Sequence, residues 1–95
     1  MRDLEGLREG IDYWDRKLVR DLAERLKLSD EAGLLKFRKG EPLHDPERER
    51  AIVEGLTGYA MERGLDDGLV GELYEVILRY SKRSQKRRVS EETME

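Results

Sequence analysis

The chain has 95 residues, no cysteine, one histidine and a net charge of −3, with 43% of its side chains charged and 37% hydrophobic. Those totals exclude a disulfide framework, thiol catalysis and a histidine-built metal cluster, and the interspersed charges argue against a general nucleic-acid or membrane binder. What remains is one thin-cored domain, with no apolar run near the ~18 residues of a membrane span and no visible signal peptide. The expectation is therefore a soluble, cytoplasmic chain that dimerisation would help to stabilise.

Apolar residues recur at steps of three and four, and alternating Val/Ile/Thr runs are absent, so the expected class is all-α with three helices. The first helix is expected from about Asp3 to Arg38. Leu4, Leu7, Ile11, Trp14, Leu18, Leu22, Arg25 and Ala32 follow a near-heptad spacing along it. Gly40 and Pro42 stop it. Asp45 is a good N-cap and Pro46 suits the first position of a second helix, which ends near Arg63-Gly64. The third begins at Asp66 or Asp67 and runs past Gln85. Residues 1–87 form the helical domain, and 88–95 a polar, frayed tail.

The first helix is long for the chain. About 35 residues at ~1.5 Å each give ~50 Å, against a radius of gyration near ~13 Å for a compact monomer of this size. Either it breaks, or two chains pair along it; an intertwined two-fold dimer is the favoured reading. Seven glycines (Gly6, Gly10, Gly33, Gly55, Gly58, Gly68, Gly71) fall inside or near the ends of these helices. Each interior one costs ~1 kcal/mol relative to Ala, so a marginal fold that a ligand tightens is expected.

Polar groups interrupt the apolar stripes. Arg25 continues the stripe of Leu4, Ile11 and Leu18, and Lys36 lies eleven residues further on. That is three turns plus ~20°, so both point the same way, ~16 Å apart, and could converge on a small anion. The alternative is snorkelling, with packed stems and wetted charges. Arg8, ~25 Å from Arg25 along the axis, is either an exposed helix charge or, in a dimer, a visitor to the partner's site. Glu49 heads the stripe Ile52, Val53, Leu56, Ala60 and needs a partner, with Arg48 adjacent. It also suits a first-turn acid, as Asp45 suits a cap. Ser81 and Gln85, one turn apart, continue the stripe of Val70, Leu73 and Ile77, unless that helix end frays. His44 reads as a loop residue, Tyr13 and Trp14 as packing or surface. The basic run Arg79, Lys82, Arg83, Lys86, Arg87, Arg88 suits a helix C-terminus and could steer an anion; without aromatic interleaving it does not suggest nucleic-acid binding.

Several cations, a hydroxyl, an amide and a carboxylate, without metal or redox group, suit an intramolecular rearrangement of an anion. With Leu7-Arg8-Glu9-Gly10-Ile11-Asp12, Leu22-Ala23-Glu24-Arg25, Lys36, Asp45-Pro46-Glu47-Arg48-Glu49, Gly64-Leu65-Asp66 and Ser81-x-x-x-Gln85 in this order, the chain resembles the all-helical, AroQ-type chorismate mutases from Leu4 to Gln85. The resemblance implies a domain-interlocked homodimer without cofactor or metal that rearranges chorismate to prephenate on the route to Phe and Tyr. It implies that Arg25 and the partner chain's Arg8 clamp the two carboxylates, with Arg48 and Ser81 in support. It implies that Lys36 and Gln85 donate to the ether oxygen, and that Glu49, with the region of Asp45, holds the ring hydroxyl.

The chain departs from the family at Asp30, where an apolar residue is usual, and in its glycine load. Nothing suggests a fused dehydratase, dehydrogenase or regulatory domain. Competing readings are an isochorismate-pyruvate lyase of the same fold, a weakly active partner that docks on another shikimate-pathway enzyme, and a plain helical dimerisation module.

Overall fold

The computed structural model describes residues 3–94. Three helices follow one another: α1 (Leu4–Arg38), α2 (Pro46–Glu62) and α3 (Asp67–Thr93). No strand occurs among the described residues. Each helix opens on an aspartate whose Oδ1 accepts a backbone N–H of the first turn: Asp3 from Gly6 at 2.8 Å, Asp45 from Arg48 at 3.1 Å, Asp66 from Gly68 at 2.8 Å. Such caps satisfy donors that have no partner within the helix. The turns after α1 and α2 contain Gly40 (φ 74°) and Gly64 (φ 80°), in the left-handed region that glycine enters without a Cβ penalty.

The third helix is the shared wall. α1 and α2 each pack against it and not against each other. α1 is unbroken over 35 residues, which removes one of the two expected answers to its length. The described chain is elongated, 57 × 29 × 15 Å, with a radius of gyration of 16.9 Å. α3 does not stop near residue 87. It continues to Thr93, through the stretch read from sequence as a frayed tail, and Glu92 pairs there with Arg38 at the end of α1.

The core is small. Leu34, Ala60 and Val70 are its buried hydrophobic residues among those described. Along the first half of α1, the stripe Leu4, Leu7, Ile11, Trp14, Leu18 and Leu22 is 43–66% exposed. The heptad spacing is thus real, but a single chain leaves that half uncovered.

Most of the glycine load is not required by packing. A Cβ added at Gly55 or Gly58, both exposed inside α2, would meet nothing within 4 Å. At ~1 kcal/mol per Gly→Ala in a helix interior, the Gly55→Ala/Gly58→Ala double variant is expected to melt ~5–15 °C higher. Scanning calorimetry reads this directly. A lower melting temperature would mean that the open face of α2 is covered by another chain.

Candidate functional site

The second half of α1, the start of α2 and the second half of α3 enclose a polar cleft of about 180 Å³. Seven of the eight candidate residues line it. Arg25 and Lys36 come from α1, Asp45, Arg48 and Glu49 from the cap and first turn of α2, and Ser81 and Gln85 from α3. Arg8 does not. It sits exposed on the uncovered half of α1, seventeen residues or ~25 Å from Arg25.

Local folding explains why these groups meet. Arg25, Ser29, Ala32 and Lys36 follow steps of four, three and four, one face of a helix. Arg25 does not merely extend its head into water. Its Nη1 donates to Ser81 Oγ at 3.0 Å, and its guanidinium lies 5.4 Å from the centre of the Tyr74 ring. Lys36 reaches the α1–α2 connection, where Nζ donates to the Leu43 carbonyl at 3.4 Å. The Asp45 cap orients the first turn of α2 so that Glu49 looks into the cleft. There Glu49 meets Lys82 Nζ at 2.9 Å and His44 Nε2 at 3.6 Å.

On α3, Ser81 and Gln85 are 6% and 7% exposed, so this part of the helix does not fray. Gln85 Nε2 donates to the Ser29 carbonyl at 2.8 Å and to Ser29 Oγ at 3.1 Å. A carbonyl can only accept, so the first bond fixes which end of the amide faces α1. The second is to a hydroxyl, which a ligand oxygen could replace. Next to this pair, Ser84 Oγ donates to Asp30 Oδ2 at 3.0 Å, while Asp30 Oδ1 is buried without a partner. The unusual Asp30 thus belongs to a polar α1–α3 seam beside the cleft.

This close approach needs Gly33. A Cβ there would lie 2.9 Å from Gln85 Cγ and 3.0 Å from Gln85 Cβ, atoms too near the α3 backbone to swing aside. Gly33 is the one glycine among the described residues whose missing side chain makes room for a cleft residue.

Sequence alone does not single out Ser29 or Leu43, and it does not place Lys82 in the site. Ser29 had a readable signal, since it lies on the stripe between Arg25 and Lys36. Lys82 was one member of a basic run, and nothing local told it from its neighbours.

The electrostatic balance of the cleft is positive. Arg25, Lys36, Arg48 and Lys82 bring four cationic groups against the two carboxylates of Asp45 and Glu49. Lys82 is committed to Glu49, whereas Arg25, Lys36 and Arg48 form no salt bridge among the described residues. Three uncommitted cations around a small cleft suit an organic anion with more than one charge.

Comparison with known proteins agrees with this chemistry. Residues 7–86 match the family described as chorismate mutase type II. The chain is 28% identical over 88 residues to a chorismate mutase of Methanocaldococcus jannaschii, covering 93% of this chain and 89% of that protein. It is 33% identical over 81 residues to the T-protein of Haemophilus influenzae, covering 85% of this chain and 22% of the relative. It is 36% identical over 75 residues to a bifunctional chorismate mutase/prephenate dehydratase of Escherichia coli, covering 79% of this chain and 19% of the relative. The chain thus spans nearly all of the first relative but only about a fifth of the other two.

Proposed function

The chain belongs to the chorismate mutase type II family, and we propose that it converts chorismate to prephenate in the cleft between its three helices, a cytoplasmic step toward Phe and Tyr. The observation that carries the reading is the set of three uncommitted cations, Arg25, Lys36 and Arg48, in one cleft with Gln85 and Glu49. Chorismate brings two carboxylates, an ether oxygen and a ring hydroxyl. In the rearrangement the C–O bond of the ether breaks while a C–C bond forms within the same molecule. No atom enters or leaves, and charge gathers on the ether oxygen.

Arg25, supported by Ser81 and Arg48, takes one carboxylate. Lys36 donates to the ether oxygen, and its attraction grows as negative charge develops there. Gln85 adds a second donor by exchanging Ser29 Oγ for that oxygen, while its bond to the Ser29 carbonyl keeps the amide aimed. Glu49 accepts from the ring hydroxyl. For a ~10⁶-fold acceleration, confinement and these charges together must lower the barrier by ~8 kcal/mol.

The site is completed by a second copy of the chain. A single chain leaves the α1 stripe exposed and Arg8 ~25 Å along the helix from Arg25. In an intertwined two-fold dimer each α1 covers its partner, and Arg8 meets the second carboxylate in the partner's cleft.

The deciding experiment is to add chorismate to the purified protein and identify the product over time. Prephenate is the expected product. Pyruvate released from isochorismate instead would identify a lyase, and no turnover of either would leave a docking partner. The reading also makes Gly33 a site residue. Gly33→Ala is expected to displace Gln85, lowering kcat by ~10-fold or more, the loss of one donor to a charged oxygen, with helix content retained by circular dichroism. Unchanged kcat would show that Gln85 is not needed where it lies.

A further inference from the structure

Lys82 is the cation in the cleft to which the reading above gives no task. It is on α3, one residue past Ser81, and points toward α2 rather than α1. Its Nζ lies 2.9 Å from Glu49 Oε1 and 3.4 Å from Oε2. Among the described residues this is the only salt bridge joining α2 to α3. The Glu49 side chain is 22% exposed, yet its Oε1 is shut off from solvent. Oε2 accepts the Lys82 hydrogen bond and lies 3.6 Å from His44 Nε2, whereas the inward-turned Oε1, though close to the ammonium, has no hydrogen-bond partner and keeps its acceptor capacity unused.

A half-buried carboxylate seeks a cation. Besides Lys82, the cations lining the same cleft are Lys36, Arg48 and Arg25. These are the groups the substrate's anionic oxygens need. Were Glu49 to pair with Lys36, the cleft would lose in one contact its acceptor for the hydroxyl and its donor to the ether oxygen. Lys82 prevents this by supplying a counter-ion from the opposite wall.

We propose that Lys82 is a positioning residue that holds Glu49 against α3, so that the carboxylate stays available to a substrate hydroxyl and does not capture the neighbouring Lys36 or Arg48. The inference rests on the mutase reading and adds a residue to it. Lys82 acts through Glu49 and does not itself touch the substrate.

The test is a cycle of four proteins: wild type, Lys82→Met, Glu49→Gln and Lys82→Met/Glu49→Gln. Lys82→Met is expected to lower kcat by ~10-fold, about one charge-assisted hydrogen bond, and Lys82→Arg to recover most of the loss. With Glu49 already neutral no carboxylate remains to capture Lys36, so adding Lys82→Met to Glu49→Gln should cost nothing further. An equal cost in both backgrounds would overturn the proposal, because Lys82 would then act on the substrate or on folding. No effect of Lys82→Met in the wild-type background would overturn it as well. A wild type that makes no prephenate sinks the mutase reading alone. The pair is then read from the melting temperatures of the same four proteins, where coupling between the two positions supports the pairing and additivity overturns it.

Discussion

Replacing Lys36 with alanine is expected to lower kcat/KM for chorismate by ~10³-fold or more while leaving helix content and melting temperature nearly unchanged. Lys36 is half-buried, and its one side-chain hydrogen bond among the described residues is a 3.4 Å bond to the Leu43 carbonyl. It forms no salt bridge there. Its removal breaks little that holds the fold, so the stability change should stay near ~0.5 kcal/mol. The catalytic effect follows from when its interaction matters. The ether oxygen of bound chorismate is a weak acceptor, and it becomes a strong one as the C–O bond lengthens. A cation placed there stabilises the transition state more than the ground state, so kcat should fall more than KM rises. Lys36→Arg should recover little, because a planar fork cannot present its charge where an ammonium does. Kinetics with isolated prephenate as standard, alongside circular dichroism, separate the cases. Turnover close to wild type would remove Lys36 from the chemistry.

The sequence was most informative where structure is set by local chemistry. Asp45 caps α2 as its sequence suggests, α1 and α3 start beside the expected Asp3 and Asp66, and Gly40 and Gly64 follow α1 and α2, because a cap or a turn needs only its own few residues. The shared direction of Arg25 and Lys36 was likewise legible from the helical period, and both line the cleft. What could not be read depends on which faces of distant helices meet. Gln85 stands on a sequence that could equally fray, and only the contact with Ser29 and Gly33 buries it. The length of α3 was missed for the same reason. Its polar final turns look unsupported until Glu92 is set against Arg38, more than fifty residues away. Lys82 carries no local mark of its pairing with Glu49. A basic run on one helix becomes a specific counter-ion only once the start of another helix lies opposite.

Arg8 supplies the test of the assembly. Arg8→Ala is expected to lower kcat/KM by ~10²–10³-fold, the cost of leaving a buried carboxylate without its cation, and most of the loss should appear in KM. Within one chain this result has no explanation. Arg8 is exposed, far along α1 from the cleft, and a rigid helix of 1.5 Å rise keeps it ~25 Å from Arg25. In the intertwined dimer the explanation is direct, and it makes a stronger prediction. An Arg8→Ala chain keeps its own Lys36, and a Lys36→Ala chain keeps its own Arg8. In a mixed dimer the cleft of the first chain receives Arg8 from the second and is intact, while the other cleft lacks both groups. Unfolding the two inactive variants together in equal amounts and refolding them should give mixed dimers in half the population, with one sound site each. About a quarter of wild-type activity should therefore return. The exposed stripe from Leu4 to Leu22 is what would drive the exchange, since separated chains leave it in water. If the mixture stays as inactive as its components while each refolded variant regains its helix content, Arg8 does not act across the two-fold axis. The second carboxylate would then have to be held by Arg48, the remaining uncommitted cation of the same cleft.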